Sequence, residues 1–120
     1  MKNTVVFERK SITLNLDNFY KANIKQTIRK VYTNKYKEKE KGSLNIHINV
    51  FVPEPKYYNE PIKYYDSIRP NDKVSTLLIA KCTVEALTGI AFYHAEQVIN
   101  LSVDKEYGEP VVEVVIERLV

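Results

Sequence analysis

Residues 81–98 read Lys-Cys-Thr-Val-Glu-Ala-Leu-Thr-Gly-Ile-Ala-Phe-Tyr-His-Ala-Glu-Gln-Val. Gly89 suits the left-handed position that closes a helix, so the stretch reads as the end of a helix, a turn, and the first residue of a strand. Working backwards, the helix begins at about Asn71 or Asp72, with Val74, Leu77 and Leu78 facing a sheet. Cys82 lies inside it and reads as a small core residue. Working forwards, residues 98–103 and 111–119 read as two strands joined around Gly108 and Pro110 as an antiparallel hairpin.

Further out, Leu44, Ile46, Ile48, Val50 and Val52 alternate with Asn45, His47, Asn49 and Phe51, the period of a strand with one buried face. His47 points to the less apolar face. Residues 4–7 and 11–16 look like two more strands, the second with Ile12, Leu14 and Leu16 on one side. Asp17 or Asn18 can cap a helix in which Tyr20, Ile24, Ile28 and Val31 share a face. Lys21, Lys25 and Arg29 form a second row beside it, and the helix frays through residues 35–41 and stops at Gly42. Residues 53–70 hold four prolines and two Tyr-Tyr pairs, an irregular loop. The order of strands, helix, strand, helix and two strands predicts an α+β domain with a mixed sheet.

A chain of 120 residues is one domain, spanning 1–120. Its single cysteine allows no internal disulfide, and the absence of an apolar run long enough to span a bilayer or of a leader pattern predicts a cytoplasmic protein with no membrane partner. The net charge of +3 is unevenly spread. Residues 17–42 carry eight Lys or Arg against three acids, whereas residues 82–120 carry seven acids against Lys105 and Arg118. Lys21, Lys25, Arg29 and Lys30 are therefore the candidate nucleic-acid contacts, with Lys81 beside them, although the whole chain is too weakly basic to argue for DNA on charge alone.

The stretch around Lys81 resembles the signature of the RusA family of phage-type Holliday-junction resolvases. That signature runs D-x-D-N-L-x-K, a helix ending D-A-L-N-G, and a turn carrying D-D-x-Q-V/I. Lys81, Ala86, Leu87, Gly89, Gln97 and Val98 hold their places in it. The acids do not: D-x-D falls on Ser75 and Leu77, the Asn on Leu78, and the D-D pair on His94 and Ala95. The flanks fit the family order too, with a strand and Arg69-Pro70 before the helix and Lys105-Glu106-Tyr107-Gly108-Glu109-Pro110 before the last strand. The resemblance covers the chain from about residue 40 onward. It implies a RusA-like single domain, a mixed sheet packed against two main helices, a homodimer, and a home in a phage or prophage within a bacterial host cell.

A resolvase of this type uses magnesium to activate water and to neutralise the departing oxygen, and the metal needs carboxylates. In the family the two acid pairs face each other. Here Ser75 offers one weak hydroxyl, Leu77 and Ala95 offer nothing, and His94 prefers softer metals. No cofactor is implied unless Glu96, Glu85, Asp66 or Asp72 rebuild the site, in which case magnesium returns and the chain is a branched-DNA binding protein or endodeoxyribonuclease. The reading favoured by the lost acids is a pseudo-enzyme that binds a host or phage protein. The phage setting suggests an inhibitor of an antiphage defence system, with a sirtuin-type NADase as one target class. Tyr57, Tyr58, Tyr64 and Tyr65 are the first candidate contacts, because tyrosine gives large contact area at low entropic cost. The acidic residues Glu106 and Glu109 are the second, suited to a basic partner.

Overall fold

The computed structural model describes residues 6–54 and 75–119. Four strands form one mixed sheet: β1 (Val6–Asn15), β2 (Leu44–Val52), β3 (Val98–Tyr107) and β4 (Val111–Leu119), in the order β1-β4-β2-β3. β1, β2 and β3 run in one direction, and β4 runs against them between β1 and β2. Two helices, α1 (Ile24–Lys35) and α2 (Thr76–Leu87), cover one face of the sheet. The α+β class with a mixed sheet and two helices is as expected. Among the described residues no helix is long and apolar enough to cross a membrane.

The alternation in β2 decides which face is covered. Leu44, Ile46, Ile48, Val50 and Val52 are all fully buried, and each such side chain contributes about 1.5–3 kcal/mol by leaving water. Val112, Val114 and Ile116 of β4 and Ile12 and Leu14 of β1 continue this face. Ile24, Ile28 and Tyr32, at helical spacing, close over it from α1; Ile79, Ala80, Thr83, Ala86 and Leu87 close over it from α2. Gly89 has φ +88° and its N–H bonds Phe92 O at 2.7 Å, so the left-handed turn after α2 is as expected.

Several local expectations are corrected. One strand, β1, occupies the described part of the two expected near the N-terminus. Residues 16–20 form a 3-10 turn, so Tyr20 is 68% exposed and Tyr32 takes the buried place on α1. The helix does not fray into the lysine run. It ends at Lys35 because Tyr36 turns out to β1, where its hydroxyl accepts from Ser11 N at 3.0 Å and donates to Ser11 O at 3.3 Å. Lys35 Nζ also reaches Ser11 O, at 2.9 Å. The edge of β1 that faces away from β4 is thereby partly occupied, which blunts it against pairing with another chain.

The larger correction concerns β3 and β4. They are not a hairpin: β3 pairs with β2 in parallel, and the chain then steps over the end of β2 to enter the sheet on its other side. Gly108 allows this step. Its N–H bonds Val52 O at 2.8 Å, and a Cβ there would meet Phe51 Cδ1 at 3.1 Å. On α2 the buried face is rotated from the expected one, leaving Leu77 and Leu78 in water; Val74 lies outside the described residues.

Charge also enters the core. Lys10 shares the inward parity of Ile12 and Leu14, and its ammonium meets Glu40 at 2.5 Å, with both side chains less than a tenth exposed. Arg118 adds a second cation to Glu40 at 3.5 Å. Burial works to lower the Lys10 pKa, but the Glu40 carboxylate outweighs it, and the net shift is upward.

Candidate functional site

Ser75 caps α2, its hydroxyl accepting the Leu78 N–H at 3.2 Å, the ordinary duty of a serine at a helix start. Leu77 and Leu78 follow at 78% and 61% exposure, and Lys81 is exposed one turn on. His94 and Ala95 are exposed where a 3-10 turn (Ala95–Gln97) starts, beyond the other end of the helix. Twelve helical residues rise about 18 Å, so within one chain the two sets are held at opposite ends of α2 rather than facing each other. Among the described residues no group of three His, Cys, Asp or Glu is placed to hold a metal ion. Asp66 and Asp72 lie outside the described residues, as do Tyr57, Tyr58, Tyr64 and Tyr65.

Gln97, which keeps its place in the family signature, has a clear task in this fold. Its side-chain oxygen accepts from the N–H groups of Tyr93 and His94, and its amide donates to Glu40 O and Gly42 O. It ties the turn before β3 to the segment before β2. Tyr93 beside it is 44% exposed, with the Lys39 ammonium 5.0 Å from its ring centre.

The basic row is divided. Lys25 pairs with Glu85 of α2 at 2.6 Å, and Arg29 Nε donates to Ala86 O at 2.9 Å. These two residues join the helices, and Lys25 holds the Glu85 carboxyl below its ordinary pKa through its hydrogen bond. Lys21 and Lys30 remain exposed. Glu106 and Glu109 are exposed where β3 ends and the chain crosses β2, as the acidic-surface reading requires. Cys82 is half-buried against the core.

The sequence did not single out the polar cluster on the face of the sheet away from α1 and α2. His47 Nδ1 lies 2.6 Å from Ser102 Oγ, and His47 Nε2 lies 3.3 Å from Glu117 Oε1. Arg9 donates twice to Glu117 Oε2, from Nε at 3.0 Å and Nη2 at 2.5 Å. Asn49 bonds Glu113 at 3.1 Å. Together with Asp104 these groups line an open concavity of about 560 Å³. Burial acts to raise the Glu117 pKa, but hydrogen bonds from Arg9 and His47 prevail, and the carboxyl is held below its ordinary value. The alternation in β2 had placed His47 on this face. Its neighbours followed only from the strand order, which the expected hairpin misassigned.

Compared with known proteins, the chain matches no family model and no curated sequence.

Proposed function

We propose that this chain is a RusA-like phage or prophage protein that lacks the resolvase chemistry and works by binding another protein. The exposed pair Leu77 and Leu78 carries this reading. They stand where the family signature has Asp and Asn, so apolar surface replaces the metal-binding positions. Burying one such side chain at an interface is worth about 1.5–3 kcal/mol, and contiguous exposed apolar surface is what a protein-binding site presents. The phage setting suggests the class of partner: a bacterial antiphage defence protein, with a sirtuin-type NADase as the first to try.

The alternative, a branched-DNA binding protein or a resolvase with a rebuilt acidic site, is weakened by two observations. Lys25 and Arg29 are engaged between the helices, and the sheet face away from the helices carries Asp104, Glu113 and Glu117 beside Arg9 and His47. Such a face repels a phosphate backbone.

The test titrates the purified protein into a sirtuin-type NADase while NAD+ hydrolysis is followed. Stoichiometric inhibition by the wild type is expected, with a weaker effect from a Leu77→Asp, Leu78→Asp double variant of unchanged melting temperature. Inhibition unaffected by the double variant moves the interface elsewhere. Cleavage of a four-way DNA junction with magnesium or manganese replaces this reading by the resolvase one.

A further inference from the structure

We infer that Ser102, His47 and Glu117 form a nucleophile, base and orienter on the face of the sheet away from α1 and α2, able to take an acyl group from a small neutral or cationic ester. This goes beyond the protein-binding reading and does not rest on it. The three residues come from β3, β2 and β4, three adjacent strands, and Arg9 of β1 extends the row across the whole sheet. His47 and Ser102 are direct partners in the parallel register, so their 2.6 Å contact is set by the backbone. Sites built on strands hold their geometry better than sites on loops.

The arrangement has the parts an activated serine needs. A nucleophile and a base lie within hydrogen-bond reach, and the base is oriented by a third group. Exposure follows the same order: the His47 side chain is 36% exposed and so open to a ligand, whereas that of Glu117 is 10% exposed. In the tautomer the proposal requires, Nε2–H donates to the Glu117 carboxylate and the Nδ1 lone pair faces Ser102. The two ring nitrogens are thus used in the reverse of the order found in serine proteases. Arg9 holds Glu117, and two of its five N–H donors are spent there.

In the step proposed, the Ser102 hydroxyl proton passes to His47 Nδ1 as Oγ bonds to the acyl carbon. The ester C–O bond breaks, and the leaving alkoxide takes the proton back from His47, giving an alcohol and acyl-Ser102. Water then attacks the acyl carbon, its proton passing through His47 to Ser102 Oγ, and the free acid leaves. Asp104 and Glu113 line the same concavity and disfavour an anionic ester. Ser102 and His47 are the catalytic residues, and Glu117 and Arg9 are positioning residues.

The experiment exposes the full chain to a neutral fluorophosphonate, which forms an O–P bond with an activated serine as fluoride leaves, and follows intact mass and peptide maps. One adduct, on Ser102, is expected, absent in Ser102→Ala. It should form about a hundredfold more slowly in His47→Gln, since a positioned base contributes on that order. Glu117→Gln should slow labelling, and Glu117→Asp should restore part of the rate. With p-nitrophenyl acetate, turnover should depend on Ser102, and a cationic acyl ester should outrun an anionic one. An unlabelled wild type, an adduct on another residue, or labelling indifferent to His47→Gln overturns the proposal. The first two of these outcomes are read on the wild type and hold whatever the variants do to folding.

Discussion

Glu40→Gln removes the carboxylate that holds Lys10 inside the fold. The Lys10 side chain is 9% exposed, and without the Glu40 carboxylate its ammonium is left with uncharged neighbours, among them Glu38 O at 3.4 Å, the Tyr36 ring at 5.2 Å and the nearby Tyr32 hydroxyl. A carbonyl at the edge of hydrogen-bond range and one cation–π contact of about 0.5–2 kcal/mol do not replace a buried counter-ion. Breaking such a pair from one side costs about 3–5 kcal/mol. For a domain of this size that is a fall in Tm of roughly 12–20 °C. Lys10→Met should cost less, because Glu40 then keeps Arg118 at 3.5 Å. A Lys10→Met, Glu40→Leu double variant should regain much of the loss, since a well-packed apolar pair is often as good as a buried ionic one. The pair has an alkaline signature as well. The Lys10 pKa is raised above 10.5, so its contribution is complete below about pH 10.5 and disappears as pH climbs through the higher folded-state value. Urea titrations at pH 7, 9 and 11 would measure all of this. A Glu40→Gln loss under 1 kcal/mol, or equal losses for the two single variants, would refute the reasoning.

Tyr32→Phe should leave stability unchanged or raise it by up to about 1 kcal/mol, because among the described residues the buried Tyr32 hydroxyl has no partner in hydrogen-bonding geometry; a clear loss in urea unfolding would mean that it accepts from Lys10. Gly89→Ala should cost about 1–2 kcal/mol in the same assay, since φ is +88° and the penalty is backbone strain rather than a clash. The lowered Glu117 pKa gives an acid signature: its contribution is complete above about pH 4.5 and is lost as pH falls through the lower folded-state value. Glu117→Gln should therefore destabilise the protein at pH 6 and match the wild type at the acid end of the titration. A gap that stays constant with pH would contradict that account.

What the sequence made legible was local. Alternation from Leu44 to Val52 gave β2 and its buried face, the spacing of Ile24 and Ile28 gave α1, and Gly89 gave the end of α2. What it hid was which strand lies beside which. The run from Val111 to Leu119 carries a stronger apolar signal than a half-wet hairpin strand needs, and that excess was the trace of its interior place. Lys10 was legible by parity with Ile12 and Leu14, but its partner Glu40 sat in a run of lysines that looked wholly solvated. The phase of α2 slipped because Leu77 and Leu78 were counted as core while Ile79, Ala80 and Thr83 took that face. The cluster at His47 needed the strand order before its members could be seen together.

The place of β4 between β1 and β2 has a consequence for how the chain acquires its shape. Among the described residues every strand partner of β1 lies in residues 111–119, with Asn15 opposite Val111 and Val6 opposite Leu119. A nascent chain that has reached β3 can pair β2 with β3, but β1 still lacks β4, and the edge of β2 that β4 will take stays open. Loop-closure entropy must be met across almost the whole length before the sheet exists. Folding is therefore expected to wait for the last strand, with the apolar side of β2 needing protection from aggregation until that strand arrives.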